Sequence, residues 1–174
     1  MTGQILVEIV RSPTDEIREL IGELAVVLSA EYPPEQRHGL PLEAIFAPHI
    51  LFFVARLNGA AADCGGVALF SDFAEVMRMY VRPSARGRGV AQALLGRLED
   101  EARGAGRSLL RLETGVKQAA AIRLYERAGF ARCGAFGDYA TMPLGAVVTS
   151  VFFEKRLAPR PSGSGSDASA GGTA

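Results

Sequence analysis

Residues 86–91 read Arg-Gly-Arg-Gly-Val-Ala and stand between a short apolar run, Met79-Tyr80-Val81, and a long Ala/Leu-rich segment. A helix beginning near Val90 leaves its first N–H groups without carbonyl partners and carries a partial positive charge at that end. Gly87 and Gly89 have no side chain to hold a ligand off those amides, while Arg86 and Arg88 add charge that can hydrogen-bond phosphate oxygens. The chemistry this spacing suits is phosphate binding. An isolated Arg-Gly-Arg-Gly would read as a solvated basic turn; the strand before it and the amphipathic helix after it favour the phosphate site. The segment lacks the Gly-Lys-Ser/Thr of a Walker loop, and Gln92 stands where a dinucleotide fingerprint needs its third glycine.

The elements that must position this turn follow from hydrophobic periodicity. Val90, Leu94, Leu95, Leu98 and Ala102 form one apolar stripe, which Gly104 and Gly106 terminate. Upstream, "ILVEIV" reads as a strand, and Ile17, Leu20, Ile21, Leu24, Val27 and Leu28 lie on one face of a helix that Pro33 and Pro34 end. "LPLEAIF" predicts a short second helix with Pro41 in its first turn. "ILFFVARL", "GGVALF" and "EVMRMYV" read as strands, the first two joined by an Asn58-Gly59 hairpin turn. "SLLRLET" is the next strand, and "AAAIRLYERAGF" a helix with Gly129 in the left-handed position after it and Phe130 folding back onto the last turn. "FARCGAF" and "TSVFFEKRL" are late strands. The order is a mixed α/β one with a central strand-helix-strand crossover.

Composition narrows the function classes. A chain of 174 residues with 48% hydrophobic content suits one domain, taken here as residues 1–157, and the Gly/Ser/Ala/Pro-rich stretch 158–174 reads as a disordered tail. Nineteen basic residues balance nineteen acidic ones, and no aromatic residues interleave with the arginines of the turn, so neither nucleic acid nor an anionic membrane is the expected partner. No leader pattern or membrane-spanning run is present, which reads as a cytoplasmic protein, and the Ala-, Gly- and Arg-rich usage suggests a bacterial source. Cys64 and Cys133 read as buried free thiols, and His38 and His49 are too few and too scattered for a metal cluster, so no metal is expected.

"MYVRPSARGRGVAQALL" resembles the acetyl-CoA motif of the GNAT superfamily of N-acetyltransferases, Arg/Gln-x-x-Gly-x-Gly/Ala, matched by Arg86, Gly89 and Ala91. "AAAIRLYERAGF" is similar to the family's second signature, Leu-Tyr followed by a helix-closing Gly-Phe. The resemblance covers the chain from the first strand to about Leu157 and implies a mostly antiparallel central sheet, splayed at its β-α-β crossover and flanked by about four helices. It implies acetyl-CoA as cosubstrate, with the amides of Arg86, Gly87, Arg88, Gly89, Val90 and Ala91 on the pyrophosphate. The strand Met79, Tyr80, Val81 would pair with the pantetheine arm through the backbone of Met79 and Val81, as an added β-strand does. Gln118 departs from the pattern, since many relatives carry Asn there. Gln keeps an amide for the cofactor arm but lengthens it.

Acyl transfer from a thioester to an amine needs a neutral nucleophile, a donor for the oxyanion and a proton for the departing thiolate. Glu75, at the start of the central strand and six residues before Val81, is the best-placed carboxylate for the base. That spacing is similar to the catalytic glutamate of the histone-acetylating branch, and a strand-end Glu paired to a nearby Arg is the competing reading. The resemblance assigns Tyr125 as the acid, against a purely core aromatic, and a backbone N–H, at Met79, as the oxyanion donor. The acceptor side is expected in "EYPPEQRHGLPLEAI" and "FGDYATMPLG", where Glu31, Glu43 and Asp138 suit a cationic amine, and Arg37 and His38 a carboxylate-bearing one. The expected function is transfer of acetyl to a primary amine, of a small molecule, by direct attack. The alternatives are a non-catalytic acyl-CoA-binding or sensing module and a protein lysine or N-terminal acetyltransferase; a homodimer is compatible with any of these.

Overall fold

The computed structural model describes residues 3–160, which form strands β1 (Ile5–Val10), β2 (Ile50–Leu57), β3 (Ala60–Leu69), β4 (Ala74–Val81), β5 (Leu109–Gly115), β6 (Ala131–Cys133) and β7 (Ser150–Arg156). They make one sheet in the order β1-β2-β3-β4-β5-β7-β6. Every neighbouring pair is antiparallel except β4 and β5, which run parallel. A parallel pair cannot be closed by a tight turn. Helix α2 (Val90–Gly104) supplies the crossover.

Two helices cover opposite faces. Helix α1 (Asp15–Glu31) starts where the Thr14 hydroxyl accepts from the Ile17 N–H, with Asp15 and Glu16 at its positive end. It buries Ile17, Leu20, Ile21 and Leu24 against Phe52, Val54, Cys64 and Tyr80. On the other face α2 buries Val90, Leu94, Leu95, Leu98 and Ala102, the stripe legible in the sequence, against Phe53, Val67, Val76 and Leu110. Helix α3 (Ala119–Arg127) joins the same face through Tyr125. Asn58 and Gly59 both have positive φ, 51° and 85°, as a two-residue hairpin of that composition requires.

Some elements differ from expectation. Leu42–Phe46 is a 3-10 turn rather than an α-helix, because Pro41 and Pro48 bracket too few residues to nucleate one. The segment before β7 carries a 3-10 turn, Gly137–Thr141, and a single α-turn, α4 (Leu144–Val147), that periodicity did not reveal. Cys64 is buried as expected, but Cys133 on short β6 is only half-buried. Leu157 is buried, and its N–H donates to the Ser108 carbonyl at 2.8 Å. The tail expected from residue 158 lies, from 161 onward, outside the described residues.

Two irregularities shape the centre of the sheet. Cys64 faces Tyr80 and Gly66 faces Met77, so β4 sets Arg78 and Met79 against Gly65 alone. This is a bulge, and Arg78 takes φ +53° in it. The freed Arg78 carbonyl accepts from the Cys64 thiol at 3.7 Å. Second, β4 and β5 pair only over Ala74–Leu110, Glu75–Arg111 and Val76–Leu112, while β5 stays paired to β7 as far as Gly115. From Met77 onward the β5-facing edge of β4 therefore has no strand partner.

Candidate active site

A cavity of about 930 Å³ occupies the gap where β4 leaves β5. Its walls are Val76 to Met79 of β4, Glu113 to Gly115 of β5, Gln118, Ala121 and Tyr125 of α3, and the loops around residues 37–40, 70–73 and 136–142. Unpaired main chain along one strand edge is a template for a further extended segment. The pantetheine-like arm implied by the sequence fits that edge.

At one end of β4 the chain turns through Pro83–Ala85 into the Arg-Gly segment and then α2. Gly87 and Gly89 have φ of 72° and 82°, and Gly89 is the N-cap residue of α2. No backbone carbonyl among the described residues accepts from the N–H groups of Gly87 to Gln92. The exposed Arg86 and Arg88 have no carboxylate partner among the described residues. Free amides on a glycine-shaped turn at a helix N-terminus, with two free guanidiniums beside them, are groups that could hold a phosphate. The Val90 side chain is buried in the core, so Val90 can offer only its main chain. Tyr80 likewise turns its ring under α1. Gln118 lines the cavity, yet its amide donates to the Glu31 carboxylate, so a contact to the arm would have to compete with Glu31.

Glu75 is the middle residue of the short β4–β5 pairing and points into the cavity. Tyr139 Oη donates to its Oε1 at 2.8 Å. Burial pushes the Glu75 carboxyl up to about 7; the Tyr139 hydrogen bond opposes this, and the nearby charges of Glu113 and Asp138 add to it. Glu113 is also raised by burial, with the Ser150 hydroxyl and His38 working against the shift. Tyr139 is itself held neutral by burial and by the Glu75 charge. Its ring stacks in an aromatic cluster with Phe136 (5.3 Å), Phe152 (5.4 Å) and His38 (5.6 Å).

Tyr125 is buried on α3 and reaches the cavity. The helix stops as its sequence suggests: Gly129 has φ 90°, and the Phe130 N–H donates to the Tyr125 carbonyl at 3.0 Å. That turn sets the Phe130 ring 5.8 Å from the Tyr125 ring, edge-on. Burial raises the Tyr125 phenol above its ordinary value, and Asp63 and Glu113 add to the effect. Asp63 is wholly buried on β3 with neither carboxylate oxygen hydrogen-bonded; burial raises its pKa, and the N–H groups of Cys64 and Tyr80 lie close enough to oppose the shift without reaching bonding geometry.

The structure thus brings Glu75, Tyr125, Met79 and Gln118 to one cavity, with the Arg-Gly turn at the end of the same strand. Of the acceptor-side residues, Arg37, His38, Phe136, Asp138 and Tyr139 line the cavity, while Glu31 is taken by Gln118, and Glu43 lies outside the lining. Sequence reasoning missed the Tyr139–Glu75 contact, Glu113 and Arg78. The alternation of "SLLRLET" sets Glu113 on the face opposite the buried Leu110 and Leu112, so periodicity gave no sign that it lines a cavity.

Residues 15–130 match the model of the acetyltransferase (GNAT) family. Over 145 residues the chain is 46% identical to an IAA acetyltransferase of Azospirillum brasilense, spanning 82% of this chain and 92% of that protein. A solved structure from Klebsiella pneumoniae, described as an acyl-CoA N-acyltransferase, superposes with TM-score 0.69 at 33% identity, over 89% of this chain and 99% of that one. An acetyltransferase of Salmonella typhimurium, solved with its cofactor acetyl-CoA, shares the fold with TM-score 0.61 at 19% identity, over 91% of this chain and 96% of that one. Among the described residues no helix is long and apolar enough to cross a membrane, and no group of three or more His, Cys, Asp or Glu side chains could hold a metal ion.

Proposed function

This chain belongs to the acetyltransferase (GNAT) family and is an acetyl-CoA-dependent N-acetyltransferase, and we propose that it acetylates the primary amine of a small molecule by direct attack, with Glu75 as base and Tyr125 as acid. The observation that carries this reading is Glu75: a carboxyl in the cleft, balanced at about 7 and held by Tyr139. An alkylammonium of pKa ~10.4 keeps its proton at neutral pH. A carboxylate poised near 7 can take that proton, directly or through one water, and pass it on to solvent.

Acetyl-CoA supplies the activated acetyl thioester. The amides of residues 87–91 are assigned to its phosphates, the Arg86 N–H being taken by the Pro83 carbonyl at 3.3 Å, and the main chain of Met79 and Val81 to its arm. The Met79 N–H, in the bulge and outside the regular ladder with β3, is assigned to the charge that grows on the carbonyl oxygen. Tyr125 keeps its proton through burial and has it ready for the departing sulfur. Direct attack is supported by the thiols: burial pushes up both Cys64 and Cys133, and neither lines the cavity.

The test is a panel of amines scored by released CoA thiol, run on the native protein and on Glu75→Gln. The variant is expected to keep its calorimetric affinity for acetyl-CoA, lose turnover with alkylamines, and lose less with arylamines, which arrive already neutral. Equal loss for both classes removes Glu75 as base. Acetylated protein products with no small amine turned over would assign the acceptor to protein instead.

A further inference from the structure

Charge pairing across the molecule singles out one side of the cavity. Arg56, Arg82, Arg97, Arg103, Arg111, Arg132 and Lys155 each meet a carboxylate within 4.0 Å. Arg37 and Arg78, both partly buried and both lining the cavity, meet none among the described residues. Arg37 donates one Nη to Ser29 Oγ at 2.7 Å, and its Nε is buried with no partner. Arg78 sits on the positive-φ bulge, and its Nε and one Nη donate to the Leu40 carbonyl, Nε at 3.1 Å. Its guanidinium lies flat against Gly39, where a Cβ would come within 2.1 Å of Cζ.

Such an arrangement holds two guanidiniums at the segment 37–40 with donors to spare. Guanidiniums that are drawn out of water and left unpaired are costly, and the group that repays the cost is a carboxylate, which matches their planar fork. Burial lowers the Arg78 pKa, as expected for a cation without a counter-charge. The same cavity holds Glu75 and Glu113, neither in an ion pair among the described residues. Unpaired acids on β4 and β5 and unpaired bases at the 37–40 segment are complementary to one kind of molecule.

Resting on the small-molecule reading above, we infer that the acceptor carries a carboxylate beside its amine, an amino acid, and that Arg37 and Arg78 bind that carboxylate while Glu75 faces the amine. In the reaction a C–N bond forms between the amine and the acetyl carbon and the C–S bond of the thioester breaks. The ammonium loses two protons over the cycle: one reaches solvent through Glu75, and the other, after Tyr125 has given its own to the thiolate, restores Tyr125. The products are the N-acetyl amino acid, free CoA thiol and one proton.

The experiment measures kcat/KM by thiol release for the twenty common amino acids, each beside its carboxamide and its decarboxylated amine. The best amino acid is expected to exceed its two analogues by ~10²-fold, the scale of a buried charge-assisted pair. In Arg37→Gln and Arg78→Gln this ratio collapses toward one, through KM rather than kcat. Gly39→Ala keeps both charges but displaces the Arg78 guanidinium, and should lower the ratio as well, which covers a poorly folding Arg78 variant. Analogues turned over as well as the amino acid, or a ratio unchanged in all three variants, overturn the inference while leaving the small-amine reading standing. If no amine of any class releases thiol while acetyl-CoA still binds, both fall.

Discussion

Removing one oxygen atom, in Tyr139→Phe, should move the pH dependence of the reaction in a calculable way. The ring stays in its aromatic cluster with Phe136, Phe152 and His38, so packing is preserved. What is lost is the donor to Glu75 Oε1, which now holds the carboxyl down against burial. A hydrogen bond to a charged group contributes ~1.5–3 kcal/mol, and one pKa unit is ~1.4 kcal/mol. Glu75 should therefore rise by ~1–2 units from about 7. The acidic limb of kcat/KM against pH should shift up with it. At pH 7 the ionised fraction drops from about a half to ~1–10%, a ~5–50-fold loss of rate, and most of that loss should be recovered by pH 10. The assay is thiol release across pH 5.5–10 for both proteins with one alkylamine. A limb that does not move, or a loss equal at all pH values, would show that Tyr139 only packs and that Glu75 does not set the limb.

Tyr125→Phe should keep acetyl-CoA affinity by calorimetry and lower kcat by ~10² or more; a near-native kcat at every pH would make Tyr125 structural. Gly89→Val forces a β-branched residue to φ +82° in the Arg-Gly turn proposed to hold phosphate and should weaken acetyl-CoA binding while the protein stays folded. Because the only atom among the described residues that a Cβ there would meet within 4 Å is Ile5 Cδ1 at 3.8 Å, unchanged affinity in a folded variant would remove the turn from the cofactor site. Glu75 has a higher pKa folded than unfolded, so the native state holds the extra proton between the usual carboxylate range and about 7. Stability is then fully present below that window and lost as pH rises through it. Glu75→Gln should accordingly raise the unfolding free energy at pH 8, by at most ~3 kcal/mol, and leave it near native at pH 4; a variant less stable than native at pH 8 contradicts this.

What was legible in the sequence is what depends on local chemistry. The Arg-Gly turn, the Asn58-Gly59 hairpin and the Gly129-Phe130 helix stop each announce themselves within a few residues, because left-handed backbone needs residues that tolerate it. Three of the four expected helices appear where periodicity put them, and the fourth is a proline-bounded 3-10 turn. Glu75 was found from its place at the start of β4, but its partner Tyr139 lies 64 residues away, on a turn with no apolar period to betray it. Arg78 was unreadable for the opposite reason: arginine has no preference for positive φ, so the bulge is a product of tertiary pairing. Unpaired charge is invisible in a balanced composition of nineteen and nineteen. It emerges only when the fold shows which arginines have found partners.

The three-rung contact between β4 and β5 has a mechanical consequence. Ala74, Glu75 and Val76 are the only strand-to-strand rungs among the described residues between one plate of the sheet, β1 to β4, and the other, β5 to β7; beyond them the Lys117 N–H donates to Tyr32 Oη at 2.8 Å and the Gln118 amide to Glu31, tying α1 to the segment after β5. The Arg-Gly turn follows the first plate, and Tyr125, on α3, follows the second. Glu75 is the middle rung. A small change in the angle between the plates would act as a lever, altering the separation of Tyr125 from the Arg-Gly turn while hardly moving Glu75 at the pivot, and the Lys117 and Gln118 hydrogen bonds resist it. Substitutions at Leu110 or Leu112, buried on the second plate and outside the cavity lining, are then expected to act on the reaction through that angle and through the core they share with Tyr125.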